Sequence, residues 1–326
     1  MSNDYFINLY TQSSRRKRNR FIRLILFLFI IISFGYFIFN FFVIRFQSST
    51  ALISPLPSLP TPPSSAYVSS PPISKSLEEV VLKSLQDSKG TYGIVIKNLK
   101  SDETYYVLEN KIFEAGSLYK LWTMAETIRQ IQKGELQEDE VLSEKISVLN
   151  SDFSIDPDLA ELKTGTITLT VNQALNQMIT ISHNYAALLL TKRIKLSSVK
   201  QFLEDNNLNN SIVDTDGSSP TTTPTDIALF LEKLYKGELV NQEYTQKMLD
   251  LLKKQQLNKK LSKYLPKNVS VAHKTGEIGW FSHDGGIVFT SNGDYIIVVL
   301  SETELPAGAE EKIANLSKAV YEYFNK

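Results

Sequence analysis

Residues 24–44, LILFLFIIISFGYFIFNFFVI, contain no charged side chain and a single amide, Asn40. A segment that is apolar on every side has no polar face to offer water, so it does not read as a surface helix. At ~1.5 Å rise per residue a helix of this length spans roughly 31 Å, the thickness of a bilayer's hydrocarbon core. Arg45 and Phe46 follow directly, with no small-residue cleavage pattern. An uncleaved transmembrane anchor over residues 21–45 is therefore expected, not a removable signal. Before and beside it stand Arg15, Arg16, Lys17, Arg18, Arg20, Arg23 and Arg45, against Asp4 alone within residues 1–74. The basic leader, 1–20, is expected to stay in the cytoplasm and everything after residue 45 to lie outside, a single-pass protein of the cell membrane. Residues 46–73 include SPLPSLPTPPSSAYVSSPP, a Pro/Ser-rich stretch. It reads as a semi-extended spacer that holds residues 74–326 off the membrane, within reach of peptidoglycan.

The formal net charge of the whole chain is zero. The surplus of basic residues in the leader thus leaves the remainder mildly acidic, which argues against nucleic-acid binding. There is no cysteine. Disulfides, thiolate catalysis and a cysteine-linked lipid anchor are excluded. His183, His273 and His283 show no metal-ligand spacing, so neither a metal nor a cofactor is expected.

Within residues 74–326, SKSLEEVVLKSLQDS places Leu77, Val80, Val81 and Leu85 on one helical stripe. TYGIVIKNL and TYYVLEN read as strands joined by the polar turn KSDE. A helix follows from Ser117, with Leu118, Leu121, Trp122, Ala125 and Ile128 at helical spacing and Gly134 at its end. TVNQALNQMIT, SHNYAALLLTKRI and TPTDIALFLEKLYKGEL read as further helices. Near the C-terminus, GGIVFTS and DYIIVVLSE are strands joined at Asn292-Gly293, and residues 309–325 form a last helix. Early and late strands sharing one antiparallel sheet, with flanking helices and a helical block inserted between them, make an α+β fold.

Three short motifs carry chemistry. Ser117-x-x-Lys120 follows Gly116 at the start of an apolar helix. Residues three apart share a helix face, so the Lys120 amine can reach the Ser117 hydroxyl. A helix N-terminus there also favours an alkoxide and an oxyanion. The plain alternative is a capping serine and a snorkelling lysine, and the same spacing occurs at Ser14–Lys17 and in a polar connection at Ser197–Lys200. Ser182-His183-Asn184 lies between two helices and can present a hydroxyl and an amide to a cleft, or simply supply a cap. Lys274-Thr275-Gly276 ends a run with strand character, where it can bind a carboxylate. A second K-T-G, at 163–165, sits among polar residues.

Together and in this order the three motifs resemble the penicilloyl-serine enzymes, most closely the class A β-lactamase group. FEAGSLYKLWTMAETI, TLTVNQALNQMITISHNYAALLL, TTTPTDIALFLEKLYKGEL and AHKTGEIGWFSHDGGIV extend the resemblance over about residues 76–326. It implies a β-lactamase/transpeptidase-like fold and a monomer acting on β-lactams. It further implies that Ser117 is the nucleophile, Lys120 its proton-handling partner, and Ser182 the proton shuttle to the leaving amine. Asn184 would bind the substrate's side-chain amide, and Lys274 and Thr275 its carboxylate. Gly276 completes the K-T-G, and the N–H groups of Ser117 and Glu277 would form an oxyanion hole. Two lysines in one cleft are expected to depress each other's pKa, leaving a neutral Lys120.

The chain departs from that pattern twice. His183 replaces the usual aspartate. The omega loop between the second and third motif regions is short, LEDNNLNNSIVDTDGSSPTTTPTD, with no E-x-x-L-N glutamate to activate water. Its Glu204, Asp205, Asp214 and Asp216 read as turn and cap residues. Slow deacylation is the expectation. A D,D-peptidase acting on D-Ala-D-Ala wall peptides is the alternative. A penicillin-binding sensor without turnover is a further one, weakened by a leader too short to hold a signalling domain.

Overall fold

The computed structural model describes residues 75–213 and 218–326. The expected anchor and spacer, along with Asp214 and Asp216, lie outside the described residues. Among the described residues no helix is long and apolar enough to cross a membrane.

The chain opens with α1 (Lys75–Ser84), β1 (Thr91–Asn98), β2 (Thr104–Val107) and β3 (Phe113–Glu114). It closes with β7 (Ser270–Ile278), β8 (Phe281–Phe289), β9 (Tyr295–Glu302) and α9 (Pro306–Phe324). These ends make one five-stranded sheet, ordered β2-β1-β9-β8-β7. Every pairing in it is antiparallel. Strand alternation explains its two cores. On β9, Ile296, Val298 and Leu300 face one cluster while Tyr295, Ile297 and Val299 face the other. The second cluster takes Leu77 and Val81 of α1 and Ile313, Leu316 and Val320 of α9. A strand covered on both faces needs no polar residue, and β9 is accordingly buried almost throughout.

The inserted block packs on the first cluster. It comprises α2 (Lys120–Gln132), β4 (Val141–Lys145), α3 (Ile146–Asp152), β5 (Thr166–Thr170), α4 (Val171–Thr180), α5 (Asn184–Ile194), α6 (Leu196–Asp205), β6 (Thr221–Thr222), α7 (Pro224–Lys236) and α8 (Gln242–Lys253). The caps are side-chain caps of the expected kinds. Thr170 and Gln173 form a capping box at α4, Thr223 caps α7 ahead of Pro224, and Asn241 caps α8. One sequence expectation is corrected here. Ser197 is not in a polar connection but in the first turn of α6, whose Val199, Phe202 and Leu203 are buried against the helical core. Its polar residues are the exposed face of an amphipathic helix.

Candidate active site

Ser117 sits in a single 3-10 turn, Gly116–Tyr119, that runs straight into α2. The turn is pressed against β7, the outer strand of the sheet. Two glycines make that approach feasible. Gly116 has φ +49°, and a Cβ on it would stand 2.9 Å from the Glu277 nitrogen. A Cβ on Gly276 would stand 2.8 Å from the Ala115 oxygen. No side chain larger than hydrogen fits either gap without a shift of backbone. The backbone of Gly116, next to Ser117 in the chain, is thereby brought beside that of Glu277.

The motif residues converge, though not through the contact the spacing suggests. The Lys120 side chain is fully buried. Its Nζ lies 2.6 Å from the Ser182 carbonyl oxygen, 2.6 Å from Asn184 Oδ1 and 3.1 Å from Ser182 Oγ. Its bonds therefore go to the second motif and not to Ser117, whose hydroxyl makes no hydrogen bond among the described residues. Lys274 Nζ, also fully buried, donates to Ser182 Oγ at 3.0 Å and to the Thr275 carbonyl at 2.9 Å. Ser182 is thus the hub of two amines. It holds that place with φ +58°, a left-handed conformation that costs a non-glycine residue about 1–3 kcal/mol and concentrates at functional sites.

Electrostatics follow from this burial. The Lys120 amine is lowered to about 7, chiefly because burial penalises its charged form; the Glu161 carboxylate opposes the shift. Lys274 is lowered well below its ordinary value, again mainly by burial, and then by the Lys120 charge. Repulsion between the lysines, expected to depress both, ranks behind burial for Lys274 and does not figure among the causes for Lys120. A neutral Lys120 amine has two N–H donors and one lone pair. The Ser182 carbonyl and Asn184 Oδ1, each 2.6 Å away, are the nearer acceptors for those two donors, and the longer 3.1 Å contact to Ser182 Oγ is the one that gives way when the lone pair takes a proton from another hydroxyl. A proton path then runs Lys274, Ser182, Lys120.

His183 stands where the resemblance expects aspartate, and it performs a cap. Its Nδ1 accepts the Ala186 N–H at 3.1 Å at the start of α5. A short acceptor is all that position requires.

Two residues escaped the sequence reading. Glu161 lies in the exposed loop before β5, and its Oε1 accepts from Asn184 Nδ2 at 2.7 Å. The loop is tied down by the buried Tyr185, whose hydroxyl accepts the Leu162 N–H at 3.1 Å and lies 2.9 Å from Asn150 Oδ1. Lys260, buried in the connection between α8 and β7, donates to Glu277 Oε1 at 2.7 Å. Neither belongs to a motif; only the tertiary fold brings them in. The cleft beside Ser117, about 440 Å³, is lined by Glu161, Asn184 and Glu277 together with apolar Ile155, Leu159 and Pro220. Glu204 and Asp205 are exposed in the last turn of α6, where Asp205 pairs with Arg129 at 2.6 Å. The second K-T-G, 163–165, is exposed ahead of β5.

The sequence profile of the Beta-lactamase enzyme family matches residues 72–324. The chain belongs to that family. Among the family's proteins, the β-lactamase VEB-1 of Pseudomonas aeruginosa is 26% identical over 268 residues, covering 74% of this chain and 87% of the relative. A solved PBP-A mutant, in its acyl-enzyme complex with penicillin G, is 25% identical with a TM-score of 0.67, covering 76% of this chain and 96% of that one. A β-lactamase from Sphaerobacter thermophilus shares the fold, with a TM-score of 0.66 at 24% identity, covering 76% of this chain and 97% of that one. Membership in the β-lactamase family makes this chain a hydrolase, with an antiparallel sheet and helices in the family's arrangement.

Proposed function

We propose that this member of the β-lactamase family opens β-lactam rings through an ester on Ser117 and hydrolyses that ester slowly. The carrying observation is the convergence of Lys120 and Lys274 on Ser182 Oγ, at 3.1 and 3.0 Å, with Ser117 and Asn184 of the same motifs lining one cleft. In the reaction, Ser117 Oγ attacks the lactam carbonyl while its proton passes to the neutral Lys120 amine. The tetrahedral oxyanion sits between the Ser117 and Glu277 N–H groups, a reading supported by the close approach of Gly116 to the Glu277 backbone. Collapse breaks the C–N bond, and Ser182 supplies the proton to the departing nitrogen, refilled along the lysine path. Lys274 and Thr275 hold the substrate carboxylate.

Hydrolysis of the ester needs a water and a base. Among the described residues, the carboxylates lining the cleft are Glu161 and Glu277, and both are already engaged, by Asn184 and Lys260. A missing general base slows a step about 10²–10⁴-fold. That shortfall also supports a second reading, a D,D-peptidase on D-Ala-D-Ala peptides. Intact-mass measurement with a fluorescent penicillin tests both readings. The expected record is a fast single adduct on Ser117 that persists for many minutes. A native protein that turns over tens of penicillins per second would refute slow deacylation, and one that never forms the adduct would refute the acyl-enzyme itself.

A further inference from the structure

Among the described residues three amines are fully buried: Lys120, Lys274 and Lys260. Lys120 and Lys274 bond to neutral groups, whereas Lys260 has a carboxylate partner in Glu277. Lys260 Nζ also donates to the His283 carbonyl at 3.1 Å. His283 is the register partner of Gly276 across β7 and β8, so the Lys260 ammonium lies level with the K-T-G segment. Its charge is felt at Lys274, where it lowers the amine while Glu277 raises it. The remaining acid of this corner, Asp284, is committed to His273 at 3.0 Å and to the Leu261 N–H.

The Glu277 side chain is 56% exposed although its partner is 1% exposed. It reaches inward from the strand edge to a cation that a protein interior does not tolerate unpaired. Residues two apart on a strand share a face, so Glu277 projects on the same side as Thr275. That is the side on which, in the function proposed above, Thr275 takes the substrate's carboxylate. An incoming carboxylate therefore meets a carboxylate already seated on the buried ammonium.

We propose that Glu277 is a specificity-determining residue, a resident stand-in that competes with the substrate's carboxylate for Lys260. This inference rests on the reading that Lys274 and Thr275 bind that carboxylate. An anionic substrate must displace Glu277 from Lys260 or bind beside it against like charge. A substrate without the carboxylate carries no such penalty. The exposed side chain can swing outward without disturbing the sheet, and its backbone N–H stays in place whatever the side chain.

The test compares benzylpenicillin with its methyl ester, as second-order acylation constants from intact mass. Glu277→Gln should raise the acid-to-ester ratio roughly tenfold, the scale of one charge-assisted hydrogen bond. Lys260→Met, an apolar replacement of similar length that leaves Glu277 charged and unpaired, should lower the same ratio roughly tenfold. A role confined to folding would shift acid and ester alike. A ratio that stays at the native value in whichever variant folds overturns the proposal. The same pair is read in a Ser117→Ala background by calorimetric binding of the acid and the ester. If the native protein forms no adduct but the binding ratio moves as stated, the acyl-enzyme reading fails and this inference stands. If the adduct forms and neither ratio moves, the inference fails alone.

Discussion

Lys120 should set the pH dependence of acylation. Its side chain is fully buried, and burial lowers its amine from 10.5 to about 7. That shift corresponds to about 5 kcal/mol of disfavour for the charged form. If the neutral amine takes the Ser117 proton, only the neutral fraction reacts. That fraction is roughly a tenth at pH 6 and roughly nine tenths at pH 8, so the acylation constant should climb nearly tenfold between them. Glu161 opposes the shift, so Glu161→Gln should move the midpoint to lower pH and flatten the rise above neutrality. The assay is stopped-flow acylation from pH 5 to 9 with a penicillin that does not titrate in that range. A flat profile between pH 6 and 8, or an upward move of the midpoint in Glu161→Gln, would refute the assignment. The sign for stability runs the same way. The unfolded chain keeps this proton up to its ordinary pKa, the folded one only to about 7. The unfolded state therefore binds more protons in between, and stability from this group grows as pH rises through that window and is least below it.

Ser117→Ala should abolish covalent labelling by penicillin while leaving the thermal midpoint near native, since a cleft hydroxyl without a hydrogen bond contributes little to packing; labelling at the native rate would move the nucleophile elsewhere. His283 is buried, with Nε2 donating to the Glu114 carbonyl and Nδ1 accepting the Ser301 N–H, and burial lowers it to about 4. Its neutral form favours folding by up to ~3 kcal/mol, fully present above the ordinary histidine value and lost as pH falls toward 4; denaturation of His283→Gln should show a shallower loss over that interval. Protease added to intact cells should digest residues 76–326, and protection of that part would reverse the expected orientation. Steady-state hydrolysis of penicillin should follow an initial burst, and its absence in a progress curve would mean that deacylation is not the slow step.

How far the site was legible depended on whether its residues carry local pattern. Ser117, Lys120, Ser182, Asn184 and Lys274 stand in short motifs bounded by helix and strand signals, and the fold gathers them. Glu161 was invisible because it reaches Asn184 from an exposed loop 23 residues away with no periodicity of its own. Lys260 looked like one more basic residue in a polar stretch, and only the strand register of Gly276 and His283 explains its place. The sheet was readable from the alternation and turn chemistry at both ends of the chain. The helix α8 went unread, although Asn241 caps it and Met248, Leu249, Leu251 and Leu252 are buried along it, because its polar residues outweigh that stripe when the stretch is read as a whole. Ser197 misled because a helix with one buried stripe looks polar when read residue by residue.

The left-handed backbone at Ser182 places this position under two opposed demands. The dihedral favours glycine, while the lysine pair needs a hydroxyl. Glycine there would relieve strain of about 1–3 kcal/mol, offset in part by about 0.5–1 kcal/mol of added freedom in the unfolded chain. Glycine would also strip two buried amines of a hydrogen-bond partner, a cost of about the same 1–3 kcal/mol, so stability alone gives the hydroxyl little protection here. A library screened by heat and then by penicillin labelling should show the two criteria parting company at Ser182 before they do so at Ser117, whose backbone carries no such strain.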